Sequence, residues 1–243
     1  MIPPDFNVDL RLASPSACYH QMASGKVDAA LVPVAALNIL GGPTEILGSY
    51  GIACEGAVHS VRLFSRKRLA DIVAGEEPIH GSAQSLSSRA LLGCLCNLEF
   101  SKQPVWCDDP DAAAGRLLIG EEALDTRREE HGWPGMRDLG QWWHERTGLP
   151  FVFARWVVRR DLEDRKKALL LAWLEENVRL AQSTEGRESL AAEAVRDGLC
   201  TPSIEFARRY YTRVHPRLGL RDLQGLEHFL TLEKERKPWT QSA

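Results

Sequence analysis

Apolar and polar positions alternate with two periods along this chain, predicting strands and helices in turn for two-thirds of its length and helices thereafter. Val8, Leu10 and Leu12 alternate with Asp9 and Arg11, as in a short strand with one wet face. Ser14-Pro15 sets a capping side chain before a proline at the first helical position. The helix it starts runs to about Ser24 and ends at Gly25. Ala29-Ala30-Leu31-Val32, closed by Pro33, is short and uniformly apolar. That is the pattern of a strand buried on both faces of a parallel sheet, and strand, helix, strand makes a β-α-β unit. A short helix from Val34 to about Leu40 stops at Gly41-Gly42-Pro43. Strands are expected at Glu45–Tyr50 and Ala57–Ser65, before a solvated break at Arg66-Lys67-Arg68.

The next stretch, Ile79 to Cys96, passes from a small polar loop, Gly81-Ser82-Ala83-Gln84-Ser85, into the apolar run Leu86, Ala90, Leu91, Leu92, Leu95. Ser85, Ser87 and Ser88 fall where the loop becomes a helix. The first N–H groups of a helix lack internal partners, and the peptide dipoles add partial positive charge there. The pattern therefore suits either a helix cap or an anion site for a carboxylate.

Val105-Trp106 reads as a brief strand and Asp108-Asp109-Pro110-Asp111 as a turn, since it lacks the glycine and distal glutamate of a calcium loop. Gly115–Gly120 is a buried strand leading into a helix at Glu121. Asp138 caps a helix that carries Trp142 and Trp143 and ends near Gly148. Leu149–Ala154 is a strand. Helices follow at Arg165–Gln182, at Pro202–Val214 behind a Thr201 cap, and at Leu223–Leu232. This alternation is α/β with a parallel core. The break after Ser65 and the late strand read as two crossings between lobes. One lobe comprises 1–65 with 151–243, and 66–150 is inserted. A cleft between such lobes is where a small ligand binds.

Composition narrows the function. Of 243 residues, 44% are hydrophobic and 26% charged, with 30 basic against 33 acidic side chains and a net charge of −3. Signs are interspersed, which argues against nucleic acid or a membrane surface as partner. No signal peptide and no membrane span is read, so a cytoplasmic chain is expected. The six cysteines, Cys18, Cys54, Cys94, Cys96, Cys107 and Cys200, form no C-x-x-C pair and fit reduced, mostly buried thiols.

The motifs also add up in order. Pro15-Ser16 with Gly25-Lys26-Val27-Asp28-Ala29-Ala30-Leu31-Val32-Pro33, Gly56–Ser65, Ser85-Leu86-Ser87-Ser88, Leu117–Gly120 with Ala123-Leu124, and Asp138–Trp143 with Thr147–Ala154 and Trp156 span Val8 to Leu230. In this order the chain resembles the chorismate dehydratase family of the futalosine route to menaquinone. The resemblance implies a two-lobed fold like a type 2 periplasmic binding protein, with parallel-type mixed sheets and a helical C-terminus. It implies a carbon–oxygen lyase that removes water from chorismate to give 3-[(1-carboxyvinyl)oxy]benzoate, without metal or organic cofactor. A monomer or homodimer is expected.

The resemblance points to Ser85, Ser87, Ser88, Ser60 and His59 as substrate contacts, with Ser88 and Ser60 closest to the chemistry. His59 and His80 are candidate bases, and one of the substrate's own carboxylates is another. Three departures stand out. Glu121 occupies a position where the family usually has Asp, and Arg89 one where a small apolar residue is usual. The family's first strand and helix, with a Ser-Tyr-Leu-Asn motif, would precede Met1. A late start, a fragment or decayed activity would each account for that. Two other readings remain open: a non-catalytic small-anion binding protein of the same fold, and the sister dihydroxynaphthoate synthase.

Overall fold

The computed structural model describes residues 6–81, 85–125, 127–197 and 203–235. The reading of Ser82-Ala83-Gln84 as a loop, the Thr201-Pro202 helix start and Cys200 lie outside these residues. Two sheets organise the chain. The first has the order β1 (Ala29–Pro33), β8 (Phe151–Arg159), β2 (Thr44–Cys54), β9 (Val214–Arg217). The second has the order β5 (Val105–Cys107), β4 (Pro78–Gly81), β6 (Gly115–Ile119), β3 (Val61–Ser65), β7 (Gly135–Asp138). The second sheet is mixed: β4 runs parallel to β5 and β6, while β3 runs antiparallel to β6 and β7. In the first, every pairing is antiparallel. β1 therefore belongs to no parallel β-α-β unit. It is an edge strand in register with β8, Val32 opposite Arg155. Its uniform apolarity reflects the packing of Ala30 and Val32 on Met22, Ala36 and Leu40.

The helices are α1 (Pro15–Ala23), α2 (Leu37–Leu40), α3 (Leu69–Ala74), α4 (Leu86–Phe100), α5 (Glu121–Leu124), α6 (Leu139–Thr147), α7 (Asp164–Gln182), α8 (Thr184–Arg196), α9 (Ile204–Arg213) and α10 (Leu220–Glu235). Their ends follow local chemistry. Ser14 Oγ accepts from Ala17 N–H at 3.3 Å, and Pro15 needs no partner at the first position. Asp138 Oδ1 accepts from Gln141 N–H at 3.1 Å to start α6, and Gly148 at φ +69 ends it. That left-handed residue turns the chain into β8, which runs back between β1 and β2.

One apolar core joins the two sheets: Val34, Ala53, Phe151 and Phe229 pack with Leu63, Leu91, Leu95, Trp142 and Trp143. Trp143, Phe151 and Phe229 meet edge-on with centroids 5.0–6.3 Å apart. α10 approaches the strand entry so closely that a Cβ on Gly225 would strike the Pro150 carbonyl. The far end of α4 is pinned by Glu99, which accepts from Trp142 Nε1 at 2.7 Å, Arg137 at 3.0 Å and Arg146. No described helix is long and apolar enough to cross a membrane.

Several expectations change. Residues 8–12 form no strand: Leu12 is 94% exposed, and among the described residues Asp9 pairs only with Arg11. Alternation there lacks the ladder partner that makes a strand. The strand expected from Ala57 begins at Val61, because Gly56 (φ +81) and His59 (φ +64) turn the chain first. β8 extends to Arg159, and β9 interrupts the helical C-terminal region.

Candidate active site

The parallel strands β4 and β6 deliver their carboxyl ends, Gly81 and Ile119, to the edge where β3 begins. Ligands of open α/β sheets bind at such an edge, beside the helix starts that follow the strands. Ser85 stands at the N-cap of α4, and Gly120 (φ +56) at that of α5. Gly120 N–H donates to the Ser60 carbonyl at 2.8 Å, which fixes Ser60 at the same edge.

Ser60, Ser85, Ser87 and Ser88 are all buried, between 4% and 8% exposed. A buried hydroxyl needs a partner, so each oxygen's neighbours define its role. Ser87 Oγ accepts from Ala35 N–H at 3.2 Å, tying α4 to the 3-10 turn Val34–Ala36 that follows β1. Ser60 Oγ accepts from the Tyr210 hydroxyl at 3.1 Å. Ser85 sits at the cap without closing a capping bond to its own helix. Ser88 Oγ bonds to none of the described residues.

His59 adjoins Ser60 in a left-handed backbone conformation, which costs a non-glycine residue of order 1 kcal/mol or more and persists only when its surroundings hold it. Asp138 holds it: Oδ2 accepts from His59 N–H at 2.6 Å, and Oδ1 from Val58 N–H at 3.0 Å. Arg62 Nη2 lies 2.7 Å from His59 Nδ1, and the Phe206 ring lies 6.0 Å from the imidazole. Burial, and then the Arg62 charge, push the imidazole pKa below its ordinary value. A cavity of about 400 Å³ opens beside this group, lined by His59, Arg62, Asp138, Gln141 and Glu145 among others. A larger hollow, about 590 Å³, lies between Met22, Thr44 and the Arg159–Asp161 turn at the opposite end of the first sheet. It contains none of the candidate residues.

Other candidates fall elsewhere. His80 lies within β4 and donates from Nδ1 to the Cys107 carbonyl at 3.2 Å, a sheet-edge contact. Arg89 stacks over Trp106 at 4.4 Å, and Glu121 is exposed at the first turn of α5. Asp109 Oδ1 accepts from Asp111 N–H, and Asp111 pairs with Arg116, so the acidic cluster is a turn. Among the described residues no three His, Cys, Asp or Glu side chains could hold a metal. Cys54 and Cys96 are buried, and loss of water pushes both thiols up to about 12, far from the thiolate a nucleophile needs. Tyr210 and Phe206 escaped the sequence reading. Both lie on α9, and only the fold brings that helix against Ser60 and His59.

The two sheets joined by crossing segments, with helix starts at the carboxyl edge of the second, define a periplasmic-binding-protein fold. Solved structures of this fold align over most of the chain. A protein of Archaeoglobus fulgidus matches with a TM-score of 0.66 at 16% identity, covering 92% of this chain and 84% of that one. The periplasmic aliphatic sulphonate binding protein of Escherichia coli matches at 0.57 and 15%, covering 92% and 79%. The ligand-binding component of an ABC-type import system from Staphylococcus aureus matches at 0.59 and 10%, covering 96% and 82%. The sequence itself is more specific. The chain belongs to the menaquinone biosynthesis family, whose model matches residues 1–235. It is 29% identical over 198 residues to the chorismate dehydratase of Thermus thermophilus, covering 72% of this chain and 70% of that protein.

Proposed function

We propose that this protein is a chorismate dehydratase that eliminates water from chorismate to give 3-[(1-carboxyvinyl)oxy]benzoate in the futalosine route to menaquinone, as a cytoplasmic carbon–oxygen lyase. The observation that carries the reading is the set of buried serines at one sheet edge, within a chain of the menaquinone biosynthesis family. Chorismate is a dianion, and hydroxyl and N–H donors at a helix start suit a carboxylate. The chemistry asks little more. The ring C–O bond breaks and its hydroxyl leaves; a proton leaves the neighbouring ring carbon; the electron pair of that C–H bond completes the aromatic ring. The two fragments are one water. Holding the substrate, assisting the departing oxygen and receiving the proton are the protein's tasks.

In this reading Ser85 and Ser87 hold a carboxylate through the start of α4. Ser88 and Ser60 offer hydroxyl protons to the substrate oxygens, and His59 contributes a further contact. The two sheets correspond to two lobes. Incubating the purified protein with chorismate, and following the aromatic product by absorbance and mass spectrometry, tests the assignment. Formation of a product lighter than chorismate by one water is expected. Unchanged chorismate at high protein concentration overturns the reading.

A further inference from the structure

We propose that Arg62 is a positioning residue that fixes His59 as the neutral imidazole with its proton on Nε2, so that His59 meets the substrate as a hydrogen-bond donor and not as the base of the elimination. The substrate half of this statement rests on the dehydratase reading; the tautomer half stands on geometry alone.

The geometry is specific. Arg62 Nη2 sits 2.7 Å from His59 Nδ1. A guanidinium carries only donors and keeps its charge inside proteins. The Nδ1 atom must therefore offer its lone pair, which leaves the single imidazole proton on Nε2. A doubly protonated ring would set one N–H against another across this contact. The guanidinium cannot swing aside freely. Its side chain is only 14% exposed, Nη1 reaches the Ala123 carbonyl at 3.5 Å, and Nε lies 4.0 Å from Asp138 Oδ2. Arg62 and Asp138 are cross-strand partners between β3 and β7, so the sheet register sets their relation. Asp138 also anchors His59 from the other side by accepting its backbone N–H. One carboxylate thus aligns both members of the pair.

The surrounding charges act in the same sense. From β3, Arg62 faces the ring; from α9, Arg209 and Arg213; Asp138 at the cap of α6 opposes them, and Glu145 of α6 lines the same cavity. Three cations and partial burial oppose a fourth positive charge on His59, and the Asp138 carboxylate favours it. A neutral N–H donor beside this positive field fits an anionic substrate oxygen. It does not fit proton abstraction, because neither ring nitrogen has a lone pair to spare.

Nitrogen-15 NMR of the labelled protein tests the proposal, with the His59 signals assigned by their loss in His59→Gln. The expected pattern is the Nε2–H tautomer in the wild type, with a titration midpoint below that of an ordinary histidine. In Arg62→Met the midpoint moves up toward that of an ordinary histidine, and the acid limb of kcat/KM for chorismate moves with it. An Nδ1–H pattern in the wild type overturns the proposal. So does a His59 midpoint that Arg62→Met leaves in place. If Arg62→Met does not fold, the wild-type tautomer decides alone. Wild-type protein that shows the Nε2–H pattern but turns over no chorismate would refute the dehydratase reading and the substrate half, and leave the tautomer assignment standing.

Discussion

The Tyr210 hydroxyl donates to Ser60 Oγ at 3.1 Å, joining α9 to the start of β3 across 150 residues of sequence. With Tyr210 as donor, the Ser60 proton is left to point elsewhere. Removal from water raises the phenol pKa, so Tyr210 keeps its proton at neutral pH. In the proposed dehydratase reading, Tyr210 orients Ser60 so that the serine proton is offered to a substrate oxygen. Tyr210→Phe removes one neutral hydrogen bond, worth about 1 kcal/mol, and kcat/KM for chorismate should fall roughly five-fold. In a Ser60→Ala background the same change should have no further effect. Steady-state turnover of the four proteins checks this, and equal losses in both backgrounds would separate Tyr210 from Ser60.

Ser87 and Ser88 are neighbours with different partners. Ser87 Oγ holds the Ala35 N–H, whereas Ser88 Oγ bonds to none of the described residues. Ser87→Ala leaves a backbone donor without its partner, a loss of about 1–2 kcal/mol. In a domain of this size that lowers the melting temperature by roughly 3–6 °C. Ser88→Ala should leave stability within about 0.5 kcal/mol of wild type and lower kcat/KM about ten-fold or more. Thermal melts set beside turnover distinguish the two, because Ser87→Ala lowers both while Ser88→Ala lowers turnover alone. A stability loss in Ser88→Ala as large as in Ser87→Ala would show that both serines only pack α4.

How far these roles were legible depended on the distance over which each was determined. The Ser14 and Asp138 caps and the Gly148 stop were readable because capping is decided within four residues. The four serines proposed for the site were named from the order of the family motifs, which is also written in short local stretches. Tyr210 was not, since its partner lies on another element and the α9 pattern marks it only as a helix residue. Short strands failed likewise: β7 and β9 have four residues each, and their ladder partners lie on distant strands. Residues 8–12 show the converse error, an alternating pattern with no strand to join.

Glu130 gives the fold a measurable acid response. It is 1% exposed and accepts from Arg116 at 2.7 Å and from Arg128 at 3.1 Å. Burial alone would raise its pKa. The bonds from Arg128 and Arg116 outweigh that and bring it to about 2, against an ordinary 4.5. The folded state therefore holds the carboxylate more tightly ionised than the unfolded chain does. Its contribution to stability is complete above pH 4.5 and disappears as pH falls toward 2. Glu130→Gln should cost about 3 kcal/mol at pH 7, because Arg116 loses its buried partner. The variant should also show a shallower fall in unfolding free energy between pH 4.5 and pH 2. Urea titrations across that range measure both effects.

Arg155 presents the opposite case, a buried cation without a carboxylate. It lies in β8 between β1 and β2, 5% exposed, opposite Val32 and Gly51. Its Nη2 donates to the Gly48 carbonyl at 2.8 Å, while Nε is buried without a hydrogen-bond partner. Among the described residues no acidic side chain lies within ion-pair distance, and burial lowers its pKa accordingly. A charge removed from water without a counter-charge is costly, and one carbonyl returns only part of that cost. Methionine keeps most of the aliphatic length and removes both the charge and the orphaned Nε. Arg155→Met should therefore stabilise the protein by roughly 1–2 kcal/mol after the lost Gly48 bond is counted. The denaturation midpoint should rise at an unchanged m-value. A lower midpoint would mean that the guanidinium is compensated in solution. Repeating the titration for wild type with increasing phosphate or sulfate would then reveal whether the compensating group is an anion, because only the arginine form would gain stability specifically with anion concentration.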